Sequence, residues 1–241
     1  MNIKLKRYKK DFDHSYTFGV FPTLELLAYQ SEHVLGVVVN PKGVANQGVA
    51  KIQEICQGAS IPLEIQEKVF SRLGARENDF AIGIFKKYSF SLDHKSNHVV
   101  LVNPSSMGNL GTIMRTMLGF GFNNLVIITP AADQFDPRVI RASMGAIFQM
   151  QIDTFSEFEA YQEKYPRQHY PLMTHGRHLV HEAQYQSPFS LIFGNESTGL
   201  GDEFNHIGTS VSIPQTEAID SFNLAVSVGV TLHQAKLAQE P

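Results

Sequence analysis

Cysteine, long apolar runs and surplus positive charge are all scarce in this chain, and each shortage closes off a class of protein. Cys56 is the single cysteine among 241 residues. No intrachain disulfide and no cysteine-rich zinc site can therefore be built. No stretch approaches the roughly 18 consecutive apolar residues that a membrane helix needs. The basic start (Lys4, Lys6, Arg7, Lys9, Lys10) lacks the apolar core of a signal peptide. These absences lead to the expectation of a cytoplasmic protein with no membrane association. The formal net charge of −3 weighs against nucleic-acid binding, although a local basic patch matters more than the sum. Lys4 to Lys10 form one such cluster and Lys86-Lys87 another, and both also read as ordinary solvated surface. The Gly-x-Gly-x-x-Gly fingerprint of a dinucleotide-binding oxidoreductase is missing after Val102. Gly119-Phe-Gly121 reads more simply as a helix C-cap.

What is present is the composition of a globular chain, 43% hydrophobic and 18% charged, at a length comfortable for two cores. The polar stretch Ser89 to His98 separates two segments. The expected division is a domain over 1–90, a linker over 91–98 and a second domain over 99–241. The first segment alternates helix and strand signals. Helices are expected over Phe21–Tyr29, Val49–Cys56 and Lys68–Leu73, and strands over Val34–Val39, Leu63–Ile65 and Phe80–Phe85. This is a small α/β layer structure.

The second segment alternates more strictly. His98–Val102, Leu125–Ile128, His169–Met173, Ser190–Phe193 and Val211–Ile213 read as buried strands. Leu110, Ile113, Met114, Met117 and Leu118 form the stripe of an amphipathic helix over Asn109–Phe120, with Arg115 off the stripe. Asp136-Pro137 supplies a cap for a helix packed through Val139, Ile140, Met144, Ile147 and Phe148. Ser156 with Glu159 reads as a capping box, and Phe222–Leu237 as the last helix. The pattern predicts a doubly wound parallel sheet.

In open α/β sheets ligands sit beyond the carboxyl ends of the strands, so three loops stand out. The first runs from Asn103 to Arg115, with Gly108 and Gly111 for tight turning and Asn109 placed to cap the helix. The second, Phe193 to Leu200, sets Glu196 between Gly194 and Gly199, as the polar anchor of a small-ligand site or as a surface acid in an ordinary turn. The third, Ile213 to Leu224, carries Ser221 and Asn223 at a helix entrance, where both could cap. Taken singly, each loop also reads as a plain strand-to-helix turn.

Together and in order, the three loops resemble the motifs of the SPOUT superfamily, and within it the SpoU/TrmH family of RNA ribose 2′-O-methyltransferases. Asn109 and Arg115 match Asn-x-x-x-x-x-Arg. Gly194, Glu196, Gly199 and Leu200 match Gly-x-Glu-x-x-Gly-Leu. Ile213-Pro214 and Ser221-Phe222-Asn223-Leu224 match Ile-Pro followed by Ser-Leu-Asn-Val. Phe222 and Leu224 depart from the family's Leu and Val, and Pro104 stands further from Asn109 than the family's Pro-x-Asn. The resemblance covers about Val99 to Ala238. Phe18 to Leu27 is similar, more loosely, to the opening of the ribosomal-protein-like RNA-binding domain that many members carry.

The resemblance implies a knotted C-terminal domain, threaded from about Phe193, and a homodimer packed through it. It implies S-adenosylmethionine as cofactor, no metal, and RNA, most readily ribosomal RNA, as substrate. Transfer RNA is the alternative substrate, and a non-catalytic RNA-binding module the alternative activity. The implied catalytic set is Arg115, Asn109, Glu196, Ser221 and Asn223. The implied cofactor-binding set is Thr174, Gly194, Asn195, Gly199, Ile213, Phe222 and Leu224. His175, His178 and His181, spaced by three, could share a helix face as metal ligands or simply as solvated side chains.

Overall fold

The computed structural model describes Leu5–Gln239 and divides into two compact units. Lys4 of the basic cluster and residues 1–3, 240 and 241 lie outside the described residues.

The first unit joins residues 1–88 with 133–149. Its elements are β1 (His14–Tyr16), α1 (Val20–Tyr29), β2 (Val34–Val39), α2 (Gln47–Gly58), β3 (Leu63–Ile65), α3 (Glu67–Leu73) and β4 (Ala81–Lys86). The sheet order is β1-β4-β2-β3, with β2 and β3 parallel and the other pairs antiparallel. The continuous apolar run of β2 is explained by burial on both faces. Val37 and Val39 pack with Val49, Ile52 and Cys56 of α2, while Val38 packs with Val69, Phe70 and Leu73 of α3. Asn46 caps α2, its side chain accepting from the amides of Gly48 and Val49. Gly74 ends α3 in the left-handed conformation at φ 79°. Strand β1 carried too short a pattern to be expected from sequence.

The later segment of this unit, residues 133–149, had been expected in the second domain. Its contacts explain where it belongs. The hydroxyl of Ser15 donates to the carbonyl of Phe135 at 2.5 Å, and Gln30 donates to the carbonyl of Phe148 at 2.8 Å. Arg141 pairs with Asp79 at 2.7 Å. Asp136 caps a helix over Pro137–Ala142 as expected. That helix is shorter than the apolar pattern suggested. Met144 and Gly145 both take positive φ, 52° and 84°, and the chain turns there. Met144 is left exposed, and Ile147 and Phe148 are buried from a following 3₁₀ turn instead.

The second unit, residues 89–132 and 150–241, is built on a five-stranded sheet. In chain order it holds β5 (His98–Val102), α4 (Met107–Gly119) and β6 (Asn124–Ile128). After the helix Pro137–Ala142, here α5, come β7 (Gln151–Phe155), α6 (Phe158–Lys164), β8 (Gln168–Pro171), β9 (His178–Leu179), β10 (Phe189–Phe193), β11 (Val211–Ser212) and α7 (Leu224–Leu237). The order β7-β6-β5-β10-β8 is parallel throughout. This is the expected α/β fold with a parallel sheet. The chain steps from β5 to β6 to β7 in one direction, then fills the other side with β8 and β10. The order therefore reverses between β5 and β10, a switch point where their loops diverge and leave a crevice. Val100, Val126 and Ile192 pack with α6 through Phe158 and Tyr161. Helix α4 packs against α7.

Three local expectations are corrected. Residues 91–98 are not a free linker: Leu92 is buried with Val100 and Tyr161, and the Asp93 amide donates to Asn124 at 2.9 Å. His98 already belongs to β5. Ser156 and Glu159 form no capping box, since α6 starts after Glu157 with no side-chain cap. The region of His175, His178 and His181 is not helical, and His178 opens the short strand β9.

The starting end of the parallel sheet carries a polar row. His169, Ser190, His98, Asn124 and Gln151 are consecutive cross-strand partners. His169 meets the Ser190 hydroxyl at 2.6 Å, and His98 meets the Tyr161 hydroxyl at 3.1 Å. Burial pushes both imidazoles down to about 4, with the Arg167 charge adding to the effect at His169. Both are neutral in the fold. The unfolded chain takes up their protons below about 6.5, whereas the folded chain does so only near 4. Their contribution is thus complete above the unfolded value and shrinks as the pH falls through this window. Urea titrations should show stability dropping between about 6.5 and about 4. His169→Asn should make that drop shallower, and an unchanged slope would exclude His169 as a source.

Candidate functional site

The site begins where β10 ends. Phe189–Phe193 is fully buried, and the next residue must turn without a side chain. A Cβ on Gly194 would stand 2.1 Å from the carbonyl carbon of Gly199, so only glycine fits. Asn195 and Gly199 close the turn with reciprocal backbone bonds of 3.2 and 2.9 Å, and Gly199 adopts φ 68°. The Asn195 side chain accepts from the Ser197 amide at 2.8 Å and donates to the Asn103 carbonyl at 2.7 Å. A loop held this firmly aims its acid in one direction.

That acid is Glu196, and it points at the turn after β5. Its carboxylate accepts from the Ser105 amide at 3.0 Å, the Ser105 hydroxyl at 2.8 Å and the Ser106 amide at 2.9 Å. The Asn109 side-chain amide adds a fourth bond at 3.2 Å. Burial works against the charge, but the backbone amides of Ser105 and Ser106 and the Ser105 hydroxyl outweigh it and hold the group down to about 2. No cation is needed to keep this carboxylate ionised.

Asn109 passes the connection on. Its oxygen accepts from Asn223 at 3.2 Å, and Asn223 in turn caps α7 by accepting from the Ala225 amide at 2.9 Å. Three loops far apart in sequence are thereby joined by one chain of polar side chains. Asn109 does not cap α4 as expected. Ser106 does, accepting from the Asn109 amide at 3.3 Å, and this frees the Asn109 side chain for its two partners.

Beside this chain lies a cavity of about 290 Å³. All seven expected cofactor-binding residues line it: Thr174, Gly194, Asn195, Gly199, Ile213, Phe222 and Leu224. Glu196 and Ser221 line it too, whereas Asn109 stands behind as the partner of Glu196, and Asn223 as the partner of Asn109. Phe222 is 37% exposed. Arg115 is not brought into this group. It is exposed on α4, and six residues carry it about 9 Å along the helix from Asn109. Sequence reasoning missed Leu172, Met173, Gln215, Asp220 and Ser227, which also line the cavity. Gln215 donates to the Asp220 carbonyl at 3.0 Å and folds the third loop on itself. Its signal was its position directly after Ile213-Pro214. Among the described residues no group of three or more His, Cys, Asp or Glu is placed to hold a metal ion.

The Glu196 bonds give a direct test. Glu196→Ala should speed amide hydrogen exchange at Ser105 and Ser106, which lose their acceptors, while leaving β6 and β7 protected. Unchanged exchange at both amides would mean that the turn holds itself.

Comparison with known proteins places this geometry. The family model described as the SpoU rRNA methylase family matches residues 96–233. A 23S rRNA (adenosine(1067)-2′-O)-methyltransferase of Streptomyces laurentii is 33% identical over 149 residues, 59% of this chain and 55% of that protein. An uncharacterized tRNA/rRNA methyltransferase of Synechocystis is 30% identical over 150 residues, 61% of this chain and 55% of that protein. The chain thus spans about half the length of the curated relatives it matches. The solved SpoU methyltransferase AviRb from Streptomyces viridochromogenes superposes with a TM-score of 0.81 at 19% identity, over 93% of this chain and 89% of that one. An AdoMet-bound rRNA methyltransferase from Sinorhizobium meliloti gives 0.78 at 23% identity, over 95% and 89%. With its three motif loops joined by one chain of polar side chains and a family model matching over half its length, the chain belongs to the SpoU rRNA methylase family.

Proposed function

We propose that the protein transfers a methyl group from S-adenosylmethionine to a ribose 2′-hydroxyl of RNA. The observation that carries this reading is a cavity lined by the loops after β10 and before α7, with the turn after β5 tied to both through Glu196, Asn109 and Asn223. The residues present suit the cofactor. Leu172, Ile213, Phe222 and Leu224 offer apolar walls to a nucleoside, Thr174 and Ser221 offer hydroxyls, and Gly194 lets the wall loop close tightly on Gly199, where any Cβ would collide. S-adenosylmethionine, when bound, supplies a methyl already activated on a sulfonium. Glu196, Asn109 and Asn223 hold the loops that form its walls. Arg115 is the group we assign to the RNA. Its exposed guanidinium suits a phosphate or the ribose hydroxyl, and because a guanidinium keeps its proton it orients rather than acts as base. Much of the rate enhancement then comes from holding donor and acceptor in line.

Ribosomal RNA is the favoured substrate. The family description names it, and so does the relative from Streptomyces laurentii. The first unit is proposed as the RNA-binding domain, and the cytoplasm as the compartment. A trefoil knot from about Phe193 onward also belongs to this reading. Its support is the close parallel passage of two chain segments: Leu172 bridges to Val211, β9 pairs with β11, and a Cβ on Gly176 would lie 2.3 Å from the Val211 carbonyl carbon. A homodimer through α7 is supported by Val226, Val230 and Leu237, exposed on one face at helical spacing.

Labelled methyl transfer to total RNA, followed by nucleoside mass spectrometry, tests the activity. A 2′-O-methylribose is expected, and a methylated base or no transfer would overturn the assignment. Arg115→Ala should keep cofactor binding in calorimetry while methylation is lost, and turnover like wild type would remove Arg115 from the mechanism. Val226→Glu combined with Val230→Glu should convert a dimer to monomer in light scattering, and an unchanged mass would move the interface elsewhere.

A further inference from the structure

A second cavity, of about 880 Å³, lies wholly within the first unit and is lined by four arginines: Arg7, Arg76, Arg138 and Arg141. Two buried aspartates organise it. Asp79 accepts from the Arg141 guanidinium at 2.7 Å and from the backbone amide of Arg76 at 2.6 Å, so it orients one guanidinium and holds the backbone that carries another. Asp136 accepts from Nε and Nη2 of Arg138 at 3.0 and 2.9 Å, a two-pronged pair. The Arg141 guanidinium also sits 5.5 Å from the centre of the Phe18 ring. Arg7 and Arg76 are exposed, and among the described residues neither pairs with a carboxylate. Setting the two aspartates against the four arginines leaves two positive charges in excess.

Each guanidinium carries five N–H donors, so those bound to Asp79 and Asp136 keep further donors for a ligand. Arginines fixed in orientation by buried acids, next to two with no acid, make an anion site of defined shape. The Tyr8 hydroxyl donates to Asp133, which leaves its half-buried ring as part of the wall and a surface on which a base can stack. Interleaved guanidinium and aromatic groups across an open cavity suit a polyanionic strand better than a single small anion. Arg138 and Arg141 come from α5, in the segment that leaves the second unit's sequence to join the first, so the site exists only when both parts of the first unit are assembled.

We propose that this cavity binds the phosphodiester backbone of the substrate RNA, with Arg7 and Arg76 as the phosphate contacts and Arg138 and Arg141 as the fixed frame. The choice of RNA rests on the activity proposed above; the anion site itself rests on the arginines. The test uses the full chain and a fluorescein-labelled single-stranded RNA of mixed sequence, read by anisotropy across a salt series. Arg7→Gln with Arg76→Gln removes no ion pair, so the fold should hold, as circular dichroism would verify. Affinity should weaken by about tenfold or more. The slope of log affinity against log salt should become shallower by about 1.4, for two contacts of about 0.7 each. Lys51→Gln with Lys68→Gln removes the same charge from exposed helix positions outside the cavity and should leave both readouts near wild type. An equal loss in this control, or no loss in the arginine variant, overturns the proposal. Inorganic phosphate at matched ionic strength should not displace the RNA; displacement would identify a small-anion site and overturn it as well. Cofactor calorimetry and methyl transfer by the wild type, measured separately, report on the proposed activity whatever the cavity does.

Discussion

The carboxylate of Glu196 ties the turn after β10 to the turn after β5, and the walls of the candidate cavity take their positions from that tie. Four donors converge on it, two of them backbone amides at the entrance of α4. Amides aimed at one point stabilise the charged acid, and the charge in turn fixes the turn that presents the amides. The link then continues through Asn109 to Asn223 and the first turn of α7. Each asparagine serves as donor on one side and acceptor on the other, which a carboxylate or an ammonium cannot do. This explains why two neutral amides and one acid, rather than an ion pair, join the three loops.

The parallel sheet separates two kinds of polar chemistry. At the starting ends of the strands, a buried row of neutral histidines and hydroxyls satisfies itself internally. At the finishing ends, polar groups converge on open space. Strand direction produces this difference. Parallel strands bring every βα loop to one end, and the reversal of order between β5 and β10 parts the loops there.

The first unit shows a related economy of acid. Asp79 and Asp136 are buried, and each is paired with an arginine that reaches toward the surface. A buried carboxylate left unpaired would be costly, so the arginine's place is determined by the acid's need for a partner. The segment 133–149 contributes one of those acids and two of the arginines. It also plugs apolar groups such as Phe148 against Phe85. Packing and charge pairing agree on where that segment belongs.

Much of this was legible in the sequence because it depended on local pattern. Asn109, Arg115, Gly194, Glu196, Gly199, Ser221 and Asn223 stood out from ordinary turns only through the ordered resemblance to the family motifs, whereas the apolar runs of β2, β5, β6 and β10 and the stripe of α4 repeat within a few residues. Periodicity and turn chemistry act over that range. What failed was non-local. Asn109, already inside the first turn of the helix that Ser106 caps, turns its side chain to Glu196, 87 residues away. Leu92 packs into the second unit because its partners Val100 and Tyr161 meet only once the sheet has formed. The segment 133–149 joins the first unit through partners more than a hundred residues earlier, Ser15 and Gln30. The sequence by itself determined which residues turn, cap and pack, since those choices rest on each residue's own conformational and hydration preferences. Only the tertiary structure decided which of them meet, because a hydrogen bond between loops depends on where the sheet's strand order carries them.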